Sequence, residues 1–141
     1  MPVPDKAKVD TLCKSPKVIK EDSLQWQAVD QHRYRLETRV FSPEMQCVLR
    51  LCGSVGRTNY GFTLLFENYP IRSLNCHHKH RKPSGELVYG LHKHTWDEVY
   101  RSQDCYVPDD IDPNADINSI FLAFLEEENI RLVGSYQLLM R

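Results

Sequence analysis

The chain has 141 residues, with 18 Lys or Arg against 19 Asp or Glu and a formal net charge of −1. That length is one domain's worth of core, and 41% hydrophobic with 26% charged residues excludes a disordered or collagen-like chain. No apolar run approaches the roughly 20 residues of a membrane-spanning helix, and Met1 to Lys6 has no apolar signal region, so a cytoplasmic protein is expected. The five cysteines, Cys13, Cys47, Cys52, Cys76 and Cys105, are an odd number with no C-x-x-C pair. That argues against a disulfide framework and against a cysteine-based zinc site.

In chain order, residues 1–22 read as an N-terminal helix and arm. Pro4 to Lys14 has Val9, Leu12 and Cys13 at helical spacing, and Pro16 ends the run. Residues 23–96 switch to period two. Leu24, Trp26 and Ala28 alternate first, then Tyr34, Leu36, Thr38 and Val40 against Arg33, Arg35, Glu37 and Arg39. Ser42-Pro43-Glu44 is a turn signal, Met45 to Cys52 the next strand, and Tyr60, Phe62, Leu64 and Phe66 another. Ile71–His80 and Val88–Trp96 extend the meander. Residues 97–116 form an acidic, proline-bounded loop, and residues 117–129 a helix with the stripe Ile117, Ile120, Phe121, Phe124, Leu125. Asp116 or Asn114 is the expected N-cap and Asn129 the left-handed end. Residues 130–141 read as a terminal strand or docked tail. The expected fold is a single α+β domain: an antiparallel meander of about five to six strands, one main C-terminal helix on one face and a short N-terminal helix.

Charge is spread unevenly along this order. From Arg72 to His94 the fixed charges sum to +4, whereas Asp97 to Glu128 holds ten acids against Arg101 alone, a net −9. A basic site for an anion next to an acidic surface for a basic partner fits that asymmetry. The basic stretch also holds five of the six histidines, within 18 residues. Pro83-Ser84-Gly85 marks a turn between Cys76-His77-His78-Lys79-His80 and Leu91-His92-Lys93-His94. Side chains alternate along a strand, so a hairpin setting residue 80 against 92 and 78 against 94 gathers His78, His80, His92 and His94 on one face.

Three chemistries compete for such a cluster. Histidine titrates near pH 6.5, so one imidazole can take a proton from an attacking 2′-hydroxyl of RNA while another protonates the leaving oxygen. Arg72, Lys79, Arg81, Lys82 and Lys93 would then hold phosphate, and no cofactor is required. The second reading puts zinc or another transition metal on the same imidazoles. The third leaves them as scaffold, capping hairpin ends.

The run from Ser73 to His80, with Leu91-His92-Lys93-His94 and the helix that follows, resembles a group of short prokaryotic proteins that includes TumE-like toxins of toxin–antitoxin modules. The resemblance covers Phe62 to Met140. It implies a small toxin-like ribonuclease with a cognate antitoxin, and its site carries over to His78, His80, His92 and His94. A non-catalytic phage or mobile-element adaptor or inhibitor, docked through the basic hairpin or the acidic loop, is the alternative from a different class.

Overall fold

The computed structural model describes residues 3–140, without the side chain of His78. It is α+β, with helices α1 (Lys6–Lys14) and α2 (Ile117–Glu127). Its strands are β1 (Lys17–Ile19), β2 (Ser23–Leu24), β3 (Gln27–Ala28), β4 (Tyr34–Ser42), β5 (Cys47–Val55) and β6 (Tyr60–Phe66). They continue with β7 (Tyr69–Arg81), β8 (Leu87–His94), β9 (Cys105–Tyr106), β10 (Ile130–Leu132) and β11 (Ser135–Tyr136).

The expected meander is present from β4 to β9, each strand antiparallel to the next. The sheet is nonetheless larger than expected and mixed. It has nine strands in the order β10-β1-β4-β5-β6-β7-β8-β9 with β3 on β4, and β2 and β11 form a separate pair. The additional strands are two or three residues long, too short to leave a period in the sequence. β1 lies where an arm was expected, and β10 pairs with it in parallel because α2 carries the chain across the sheet.

Both helices cover the same face. Val9 and Leu12 of α1 and Phe121 and Phe124 of α2 are buried against Leu36, Leu51, Phe62 and Leu74. Phe121 sits edge-on to Phe62 at 5.1 Å and to Trp26 at 5.3 Å. The ends of both helices are satisfied. Asp5 accepts from Lys8 N at 2.7 Å, and Asp116 accepts from Asn118 N. The buried Lys17 ammonium donates to the carbonyls of Leu12, Cys13 and Ser15, each at 2.8 Å, and so closes the end of α1. Asn118 accepts from Tyr136 Oη and Leu139 N and donates to Leu139 O, tying the C-terminal tail to α2.

The hairpin β7–β8 turns more tightly than the insert between the histidine runs suggests. Lys82 N donates to Glu86 O and Gly85 N to Lys82 O, so β8 begins at Leu87 opposite Arg81. His80 therefore faces Val88 rather than His92, and the expected pairing of 78 with 94 does not form. His92 stands opposite Asn75 and His94 opposite Ser73. The ladder skips one residue between His77 and Lys79. His77, opposite Gly90, lies on the face of His92 and His94 by regular alternation, and the extra residue resets the alternation so that His80 joins the same face.

Candidate functional site

Four imidazoles meet on the face away from the helices. Ring centroids are 4.7 Å apart for His77–His92, 4.6 Å for His80–His94, 4.8 Å for His92–His94 and 5.6 Å for the stacked His80–His92. Three are the expected His80, His92 and His94. His77 is the one that the expected register missed: opposite Gly90 it shares the face of Asn75 and His92, and the bulge that follows it brings His80 across to join it. His78, named with the other three from the sequence, has its side chain outside the described residues. His32 lies in a turn, away from this cluster, and lines a separate cavity.

Residues 97–104 fold against the cluster, where Ser102 and Gln103 meet His94 and His80, and leave His77 and His80 half-buried. Asp97 and Arg101 exchange backbone hydrogen bonds, and Asp97 Oδ1 accepts from Val99 N and Tyr100 N, which shapes the turn. The Arg101 guanidinium lies over Tyr69 and Trp96, pinning the turn to the core. His92 is 0% exposed and His94 7%.

Backbone carbonyls of this cover and of β8 fix the tautomers. His94 Nδ1 meets Ser102 O at 2.7 Å, His80 Nε2 meets Gln103 O at 2.8 Å, and His92 Nδ1 meets Gly90 O at 2.9 Å. A carbonyl only accepts, so each of these ring nitrogens carries a proton, and in neutral His92 and His94 the lone pair lies on the other nitrogen. His92 Nε2 is buried with no hydrogen-bond partner among the described residues. A buried polar atom left that way costs about 1–3 kcal/mol and calls for an ion, a water or a ligand. Burial, against the pull of Ser102 O, holds His94 down at about 4, and burial also lowers His92. Both rings are neutral at pH 7.

Cys105 completes the group. β9 pairs His94 with Cys105, placing the thiol on the histidine face, and Cys105 is 3% exposed. His80, His94 and Cys105 each offer one ligand atom, all within 4.8 Å of one another. Its spacing gave no hint of this, because the partner histidines lie on other strands and no second cysteine stands nearby in sequence.

The expected phosphate cations divide. Arg72 pairs with Leu64 in the ladder, hence on the helix face, where it meets Asp10 at 2.9 Å. Lys93 also points to the helix face and is held by Glu127 and by Glu128 at 2.8 Å. These two are not beside the cluster: they alternate with the histidines on their strands, so they take the opposite face. Glu127 and Glu128, which oppose the dipole of α2, thus have an internal use in holding Lys93. Arg81 donates to Gly85 O, and Lys82 lies 3.7 Å from Glu86 and 3.9 Å from Asp104. Lys79 is exposed.

A family model covers residues 5–130 and describes a family of unknown function, DUF6978. The chain belongs to that family. No curated protein and no solved structure matches the chain. Among the described residues no helix is long and apolar enough to cross a membrane.

Proposed function

We propose that this protein holds a transition-metal ion, with zinc the best chemical match, on His80, His94 and Cys105. His92 stands ready as a further ligand. The observation that carries this reading is the pairing of three imidazoles with backbone carbonyls beside a buried thiol. Histidines that bind metals donate their other ring nitrogen to a carbonyl or carboxylate, which fixes the tautomer and the ring. Imidazole with thiolate is the donor set that suits zinc and copper. Tetrahedral zinc needs its ligand atoms about 3.3–3.8 Å apart, so the 4.8 Å limit leaves a contraction within reach of side-chain rotation. The unpaired His92 Nε2 gains a partner in that contraction.

The test is the metal content of protein purified without chelator. About one zinc per chain is expected, lost in His80→Ala and Cys105→Ser. Cobalt substitution should give a thiolate-to-cobalt charge-transfer band that Cys105→Ser abolishes. Metal-free protein that also fails to take up zinc or cobalt would sink the reading.

A metal-independent, toxin-like ribonuclease is the second reading, favoured by the stacked pair of half-buried His80 and buried, neutral His92. There His92 would act as base and His80 or His77 as acid. RNA cleavage that survives EDTA and vanishes in His92→Ala would favour it over the metal. Growth arrest on expression, relieved by a co-expressed partner protein, would add the antitoxin.

A further inference from the structure

The sheet face that carries the cluster extends well beyond it. Directly paired residues lie on one face, and the ladder gives two rows across five or more strands. One runs Arg35, Ser54, Gly61, Asn75, His92, and the other Glu37, Cys52, Thr63, Ser73, His94, Cys105. At about 4.8 Å per strand, Arg35 lies about 19 Å from His92. Between these ends the floor is built of small side chains with hydroxyl and amide groups. Gly61 makes room there for the Asn75 side chain, whose Oδ1 would lie 2.5 Å from any Cβ added at that position.

The far rim is basic. The side chains of Arg35 and Arg50 are 60% and 47% exposed, and both share Glu37, at 3.7 and 3.3 Å. Two recesses flank them. One, of about 250 Å³, is lined by Arg39 and Arg50 with Glu67, and the other, of about 420 Å³, by Arg33 and Arg57 with Asp30. Arg33 is fixed by donating to Ser54 Oγ at 2.9 Å. Five arginines therefore border this face. The acidic segment from 97 to 128 lies at the opposite end of the sheet and on α2.

We propose that this face is a binding track for a single strand of nucleic acid, its phosphates held in the arginine recesses and its chain led over the small-residue floor to the histidine–cysteine cluster. The proposal rests on that cluster being the functional centre, and it moves the phosphate contacts from Arg72 and Lys93 to Arg33, Arg39, Arg50 and Arg57. Two recesses and a floor about 19 Å long suit an extended phosphodiester rather than one mononucleotide.

Fluorescence anisotropy of a labelled 12-nucleotide RNA tests the track, with a DNA strand of the same length as the second arm. Saturable binding that weakens with salt is expected. Arg39→Gln with Arg50→Gln should lower the slope of log K against log salt by about 1.4, near 0.7 per lost phosphate contact. Tighter binding of RNA would add a 2′-hydroxyl contact, and equal binding of DNA would leave recognition to the phosphates alone. No binding by the wild type, an unchanged slope in the double variant, or equal displacement of RNA by polyglutamate would overturn the track. Zinc content measured on the same samples separates the two failures. An intact metal site without RNA binding defeats only the track, and RNA binding without metal defeats only the zinc reading.

Discussion

The two faces of the sheet treat polar groups in opposite ways. On the helix face these buried polar groups are satisfied: Lys17 by three carbonyls, Lys93 by two carboxylates, and Asn118 by donors and an acceptor. On the other face four imidazoles crowd together, and the most buried of them keeps a nitrogen with no hydrogen-bond partner among the described residues. Buried polar groups are nearly always paired, and that is why we place the proposed site on the side with the unpaired one.

That contrast can be broken most severely at Lys93. Lys93→Ala leaves Glu128, 3% exposed at its side chain, buried without its cation and should cost about 3–5 kcal/mol in urea denaturation. Lys93→Met combined with Glu128→Leu should recover most of that loss, since an apolar pair needs no compensation. A single variant as stable as wild type would mean that the pair is solvated.

Acid should act on the histidine side. The unfolded imidazole of His94 titrates near 6.5 and the folded one at about 4, so between these values the unfolded chain binds more protons. In EDTA, stability should therefore be full above pH 7 and fall by up to about 3 kcal/mol as the pH drops from 6.5 to 4, with His92 contributing in the same direction. A urea midpoint that stays flat over this window would place both rings in water.

Zinc should separate the two sides more finely. At a free concentration about 100 times its dissociation constant the ion should stabilise the wild type by about 2.7 kcal/mol, read as a rise in Tm, and should leave Cys105→Ser unmoved. Equal stabilisation of both proteins would place the ion elsewhere. The smallest effect is expected at the rim: Arg35→Ala should change stability by under about 0.5 kcal/mol, because its ion pair with Glu37 is exposed. A larger loss by thermal melt would show that the rim is structural.

The sequence by itself determined whatever is written in local periods. The alternation of Tyr34 to Val40 became β4, Tyr60 to Phe66 became β6 without a change of boundary, and the stripe Ile117 to Leu125 became α2, capped by Asp116. Asn129 takes the left-handed conformation, at φ 55°, that its place after the helix demanded. The clustering of histidines was legible as well, because five of them fall within one hairpin.

Tertiary structure decided which side chains meet. One skipped residue between His77 and Lys79 moved His80 onto the face of His77, and a period of two cannot foresee its own interruption. Cys105 reached His94 through a two-residue strand 11 positions away, too short to leave a pattern. Arg72 and Lys93 lie away from the expected anion site because their neighbours in the strand, not they, face the cluster. Proximity along the chain gave these residues a common neighbourhood, and only the ladder and the packing against α1 and α2 sorted them to opposite sides of it.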